Sequence, residues 1–143
     1  MSSILFRRVV ESDLDQIFPL LQQLTHIDYS ARDKEKCWQL FKTNTAVNSL
    51  VGVDGSKIVA YGSIVIENKI RGDISGHIED IVVDTKARGR NIGTELIKHL
   101  IEIGEKKNCY RITLFCDETL IDFYSNNGFK VNNIAMKRYT HEF

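Results

Sequence analysis

Three sets of residues have types and spacings that could do chemistry. Arg88-Gly89-Arg90-Asn91-Ile92-Gly93 reads Arg-Gly-x-x-x-Gly and separates an extended apolar segment from an amphipathic one. Between a strand and a helix such a loop can hold a pyrophosphate. Glycine lets the backbone approach the ligand, successive N–H groups point at it, and the helix N-terminus adds partial positive charge. Lys86, Arg88 and Arg90 add formal charge nearby. The same residues also describe an ordinary strand-to-helix turn with a solvated basic face. No Gly-Lys-Ser/Thr ending follows, which excludes a nucleotide-triphosphate P-loop, and no Gly-x-Gly-x-x-Gly follows an early strand, which argues against a Rossmann site. The adjacent carboxylates Glu79 and Asp80 could exchange protons with a ligand, although taken alone they read as ion-pair partners at a strand end. His77-x-Glu79 has the spacing of half a zinc-deaminase signature. The Pro-Cys-x-x-Cys half is absent, so His77 reads as structural and no metal is expected.

The elements that must position these groups follow from periodicity. Gly76 to Val83 reads as a central strand, with His77, Glu79, Ile81 and Val83 on one face and Ile78, Asp80 and Val82 on the other. After the glycine loop, Ile92, Leu96, Ile97, Leu100, Ile101 and Ile103 form a wide apolar helical stripe that should cover the sheet. Upstream, Ile4 to Val10 predicts a strand and Ser12 an N-cap. Leu14, Ile17, Phe18, Leu21 and Leu24 predict a helix, kinked or restarted at Pro19. A second helix is expected from about Arg32 to Thr43. Val51 and Val53, Asp54-Gly55 and Ile58 to Ile66 read as a hairpin with a tight turn. A loop bearing Asn68, Lys69, Arg71 and Asp73 leads into the central strand. Downstream, Tyr110 to Cys116 reads as a buried-type strand, Asp117 as the cap of a helix through Tyr124, and Asn127-Gly128 as its end. Two short strands, near 129–131 and 135–139, complete an α+β chain with a mixed sheet.

Composition limits the function classes. The 143 residues carry 19 Lys and Arg against 19 Asp and Glu, so no global basic field drives non-specific nucleic-acid binding and any anion must be held by local groups. No apolar run approaches the ~20 residues of a membrane span, and the N-terminus lacks the order of a signal peptide, so a cytoplasmic location is the expectation. Cys37, Cys109 and Cys116 are odd in number and lack Cys-x-x-Cys spacing, which fits reduced thiols. With no repeat or linker-like stretch, one domain over 1–143 is expected.

Taken in order, strand 76–83, loop 88–93, amphipathic helix, strand 110–116 and the helix ending Phe123-Tyr124-x-x-Asn-Gly-Phe129 resemble the GNAT superfamily of acetyl-CoA-dependent N-acetyltransferases. The resemblance implies the GNAT fold, a mixed, mostly antiparallel sheet flanked by helices with strands splayed at the cofactor site. It further implies acetyl-CoA as acetyl donor, its pyrophosphate on Arg88, Gly89, Arg90, Asn91, Ile92 and Gly93, and its pantetheine arm along Ile81, Val82 and Val83. Tyr124 would then stand near the cofactor sulfur as a hydrogen-bond or proton donor. Asn91 replaces the usual Gly of the loop, and Asn is the next best residue for positive φ.

Within that superfamily, Gly-His-Ile-Glu-Asp-Ile-Val-Val (76–83), Asn-Cys-Tyr-Arg-Ile-Thr-Leu (108–114) and Leu21-x-x-Leu24-Thr25 are similar to the glucosamine 6-phosphate N-acetyltransferase family. That resemblance implies a homodimer acting in UDP-N-acetylglucosamine biosynthesis. Glu79 and Asp80 would be the acidic pair at the reacting amine and Ile81 N–H the donor to the thioester carbonyl. The sugar phosphate would meet Thr25, Lys69, Ile70, Arg71, Glu79, Asp80, Tyr110 and Arg111, with Lys or Arg and a hydroxyl on the dianion. The family's C-terminal Arg falls at Tyr139 here, with Arg138 and Lys137 beside it. The chain departs from the pattern at Phe115, where the family has an acidic residue, and at Leu120, where it has a cofactor-contacting Asn. Transfer to another small amine or a protein amine, or a CoA-binding regulatory module, are the competing readings. Convergence of Lys69 and Arg111 on a phosphate site distinguishes the first of these.

Overall fold

The computed structural model describes residues 3–25 and 28–141. Five strands, β1 (Leu5–Arg8), β2 (Val47–Asp54), β3 (Lys57–Asn68), β4 (Ile74–Val83) and β5 (Arg111–Leu114), form one sheet in that spatial order. β1 to β4 pair antiparallel and β4 pairs parallel with β5, so the sheet is mixed and mostly antiparallel, as the sequence implied. The Asp54-Gly55 turn forms as expected, with Asp54 opposite Lys57 and Gly55 at φ 63°.

Two apolar layers sandwich the sheet. Helix α3 (Ile92–Lys106) buries Ile92, Leu96, Ile97 and Leu100 against Leu50, Val59, Ile64 and Ile78. Helix α1 (Leu14–Gln22) buries Ile17 and Leu20 on the opposite face against Val51, Ile58 and Val82. Each fully buried aliphatic side chain contributes about 1.5–3 kcal/mol of transfer free energy. These two layers therefore hold the site's strands in place.

Several expected boundaries are corrected. Ser12 is not the N-cap of α1; Glu11–Asp13 form a 3-10 turn, and the Asp13 carboxylate accepts Val10 N–H at 2.9 Å. α1 runs through Pro19 as one element, because Pro19 faces solvent and the Asp15 carbonyl it orphans can bond water. Helix α2 starts at Lys34, after the Asp33 side chain accepts Lys36 N–H at 3.1 Å, and ends at Lys42 with no residue buried. β5 excludes Tyr110, Phe115 and Cys116. The segment after it folds as a 3-10 turn, Glu118–Leu120, followed by helix α4 (Ile121–Ser125). Neither expected C-terminal strand is present at 129–141. Among the described residues that segment pairs with no strand, and Val131, Ile134 and Met136 stand 76%, 91% and 96% exposed.

Asp13 is a buried carboxylate with every contact made inside the fold. Arg7 meets it through two bonds of 2.7 and 2.9 Å, and Asp13 is only 5% exposed. The Arg7 hydrogen bonds outweigh burial and hold its carboxyl below the usual range. Stability from this group is thus present at neutral pH and lost as pH falls through the depressed folded-state value. Asp13→Ala is expected to cost about 1–3 kcal/mol by orphaning Val10 N–H and the half-buried guanidinium. Denaturant titration of both proteins at neutral and acid pH measures it; the gap between them should narrow in acid.

Candidate functional site

The site is built around a bulge in β4. Ser63 faces Glu79 and Tyr61 faces Val82, so a single β3 residue, Gly62, spans both Asp80 and Ile81. Asp80 absorbs the extra residue at φ 55°, a left-handed conformation that Asp tolerates better than bulkier residues. The bulge reverses the side-chain alternation. Ile78, Ile81 and Val83 pack on the α3 layer while Val82 packs on the α1 layer, so the unbroken alternation read from the sequence fails after Glu79. Gly62 makes this possible: a Cβ there would lie 2.5 Å from Ile81 Cδ1.

Asp80 opens into a cavity of about 560 Å3 whose lining includes Thr25, Tyr29, Arg32, Cys37 and Lys137. Burial of its carboxyl, and then the charge of Glu79, push Asp80 above the ordinary carboxylate range. A carboxylate so placed can take a proton from an amine. Glu79 is half exposed, and its carboxylate lies 3.5 Å from His77 Nε2. His77 Nδ1 and Thr113 Oγ1 share a 2.8 Å hydrogen bond across β4 and β5, which fits the structural role read from sequence.

Beside the bulge the sheet opens. β4 and β5 pair only from Ser75 with Arg111 to Ile78 with Leu114, so Glu79–Val83 have no β5 partner. Ile81, Val82 and Val83 thus present a strand edge able to hydrogen-bond an extended amide-bearing arm. At its end, Gly89 and Asn91 both take positive φ, 89° and 58°, and Asn91 starts α3 in the left-handed conformation expected of it. The first N–H groups of α3, beginning at Ile92 and Gly93, have no intrahelical acceptor and, with the helix dipole, can receive an anion. Arg90 is tied to Asp54 at 2.8 Å, whereas the Arg88 and Lys86 side chains have no partner among the described residues.

Tyr124, on α4, is 7% exposed, with its ring edge-on to Phe123 and Phe129 at centroid distances of 4.9 and 6.0 Å. Phe123 approaches Gly93, where an added Cβ would sit 3.3 Å from its ring, so α4 abuts the glycine loop. Burial, and then the nearby Cys116, raise the Tyr124 phenol, which therefore remains protonated at neutral pH. Its hydroxyl has no hydrogen-bond partner among the described residues.

The remaining expected residues divide into two groups. Thr25 shares the cavity with Asp80. Lys69, Arg71, Tyr110 and Arg111 gather instead at the opposite end of β4: Lys69 pairs with Glu67, Arg71 Nε with Asp73 at 2.7 Å and Arg71 with the Tyr110 hydroxyl at 2.8 Å. Arg111 lies over Tyr110 at 5.1 Å, and Lys69 and Arg111 both lower the Glu67 carboxyl, so these two cations meet at a carboxylate of the same chain. Ile70 protrudes at the hairpin tip, fully exposed. Arg138 does not line the Asp80 cavity; its neighbour Lys137 does. Phe115 is 72% exposed and edge-on to His77 at 4.8 Å, and Leu120 is 44% exposed in the turn before α4. Sequence reading missed Arg32 and Tyr29 altogether. Both lie in an irregular segment whose position relative to β4 has no local signal.

The Acetyltransferase (GNAT) family model matches residues 14–129. The chain is 35% identical to glucosamine 6-phosphate N-acetyltransferase 1 of Dictyostelium discoideum, over 97% of this chain and 96% of that protein. The crystal structure of glucosamine-6-phosphate N-acetyltransferase from Arabidopsis thaliana superimposes with a TM-score of 0.88 at 28% identity, covering 97% of this chain and 99% of that one. A Trypanosoma brucei acetyltransferase structure gives 0.87 at 30% identity, with coverage of 96% and 99%.

Proposed function

The chain belongs to the acetyltransferase (GNAT) family, and we propose that it transfers acetyl from acetyl-CoA to the 2-amino group of glucosamine 6-phosphate. The observation that carries the acceptor is the identity of 35% over 97% of the chain with an enzyme named for that reaction. The reaction fits the bulged strand, which sets a raised carboxyl beside an open strand edge and a helix N-terminus.

When bound, acetyl-CoA supplies an activated acetyl group as a thioester. The residues fit it: loop 88–93 and Arg88 receive the pyrophosphate, and the free edge of Ile81–Val83 receives the pantetheine amides. Asp80 accepts the ammonium proton, and Glu79 keeps Asp80 basic enough to do so. Ile81 N–H donates to the thioester carbonyl, and Tyr124 donates its phenolic hydrogen bond to the departing sulfur. No covalent enzyme intermediate is needed.

The same reading includes one N-acetyltransferase domain over 1–143, a cytoplasmic location, a product that enters UDP-N-acetylglucosamine synthesis, and a homodimer. In support of the dimer, Val131, Ile134 and Met136 are exposed on a segment that lacks a strand partner of its own, and a second copy can cover them. Among the described residues no helix is long and apolar enough to cross a membrane.

The test is free-thiol release from acetyl-CoA with glucosamine 6-phosphate, run beside glucosamine and a polyamine. Rapid release only with the phosphorylated sugar is expected. Release with the polyamine alone moves the acceptor, and no release with any amine despite acetyl-CoA binding by calorimetry leaves a CoA-binding module. For the dimer, light scattering should give twice the 16.4 kDa of one chain; a monomer at assay concentration removes it.

A further inference from the structure

Two glutamines of the first helical segment each use both ends of their amide to tie it to the sheet. Gln16, in the middle of α1, accepts Ile58 N–H at 2.8 Å and donates to Ser56 O at 3.2 Å, at the β2–β3 turn. Gln23, the C-cap of α1, accepts Thr85 N–H at 3.0 Å and donates to Asp84 Oδ1 at 3.4 Å. The two ties reach different places. Ser56 and Ile58 line no part of the Asp80 cavity, whereas Asp84 and Thr85 lead from β4 into the 88–93 loop. Asp84 is 7% exposed and accepts Lys86 N–H at 3.1 Å, so it caps the 3-10 turn Thr85–Ala87 that carries Lys86 and leads to Arg88. Lys57 at 3.3 Å and the Asp84 N–H, bonded to Val59 O at 2.8 Å, hold the same residue to β3.

The chain on either side of Gln23 belongs to the acceptor cavity. Leu21, Leu24 and Thr25 line it, and Leu24 N–H closes the helix end on Leu21 O at 2.9 Å. Gln23 itself does not line the cavity; its side chain turns to the root of the loop that receives the cofactor's pyrophosphate. An amide bonded at both ends fixes the orientation of one segment against the other, which a single bond leaves free to rotate. Resting on the acetyl-transfer reading above, we propose that Gln23 is a positioning residue that links the two substrates: cofactor bound along 86–93 fixes Asp84 and Thr85, and Gln23 passes that order to the cavity wall at 21–25. The second substrate then meets a wall whose ordering entropy has already been lost, so its affinity rises, and the effect is reciprocal. The link moves no proton and touches no reacting atom.

Hydrogen exchange of the 20–25 segment, with and without coenzyme A, tests this in the unaltered protein, Gln23→Met and Gln16→Ala. Met keeps the reach of the side chain and removes both bonds. In the unaltered protein coenzyme A should slow exchange at 20–25 about 5- to 10-fold, the lower end of the range for coupled sites. In Gln23→Met that slowing should vanish while coenzyme A still binds. Gln16→Ala should lower Tm yet keep the slowing, because a general loosening of α1 speeds exchange with and without the ligand alike. Calorimetry gives the second readout. The Kd for glucosamine 6-phosphate should tighten by a similar factor when coenzyme A is saturating, and in Gln23→Met the two Kd values should coincide. No slowing in the unaltered protein, or equal slowing in Gln23→Met, overturns the proposal, as do equal Kd values in the unaltered protein. The exchange measurement needs no acceptor, so slowing that Gln23→Met abolishes upholds the link even if glucosamine 6-phosphate is not acetylated. Thiol release with glucosamine 6-phosphate, but no effect of coenzyme A at 20–25, removes the link and leaves the reaction.

Discussion

Asp80→Asn should lower kcat/KM for the amine acceptor by about 100- to 10,000-fold, the range for loss of a positioned proton-transfer group, while the protein remains folded. Asn tolerates the φ of 55° at the bulge as well as Asp does, so β4 keeps its register and Ile81 keeps its place on the α3 layer. Only the proton-accepting oxygen is lost. The pH profile carries a second signature. Burial, and secondarily Glu79, raise the Asp80 carboxyl, so the acid limb of kcat/KM should lie above the ~3.9 of an unperturbed Asp. A base works only when deprotonated, so activity falls as pH drops through that raised value. Glu79→Gln removes one of the two causes and should move the limb to lower pH without returning it to the unperturbed value, because burial remains. An unchanged rate in Asp80→Asn would assign proton removal elsewhere.

Tyr124→Phe should reduce turnover about 10- to 1000-fold, as expected for removal of one transition-state donor, with KM for acetyl-CoA nearly unaltered. The ring is held by its edge-on contacts with Phe123 and Phe129, which Phe preserves. The hydroxyl has no hydrogen-bond partner among the described residues, so its removal orphans no protein group and should leave Tm unchanged. The raised phenol, buried and beside Cys116, is a donor at neutral pH rather than a phenolate. Single-turnover acetyl transfer followed by quench separates the chemical step from product release. Equal single-turnover rates in the two proteins would take Tyr124 out of the chemistry and leave it a core residue.

What could be read from residue order alone was local. The Asp54-Gly55 turn, the positive φ of Asn91, the apolar stripe of α3 and the glycine loop ahead of it each depend on a few neighbouring residues, and each stands where expected. The Gly-His-Ile-Glu-Asp segment and its companions identified the fold, and hence an open β4 edge beside a helix N-terminus. The parity of β4 could not be read this way. Its bulge is set by pairing with β3, where Gly62 clears space for Ile81, and those residues are almost twenty positions apart. The meeting of Arg32, Thr25, Asp80 and Lys137 around one cavity depends on how three separate segments pack, which no spacing encodes. The missing C-terminal strands have the same cause. Val131 to Tyr139 has the composition of a strand, but a strand forms only where the chain docks against an edge and pairs with it, and this segment does not. Sequence sets local conformation and chemical type; which distant groups share a cavity, and which backbone finds a partner, is decided by long-range packing.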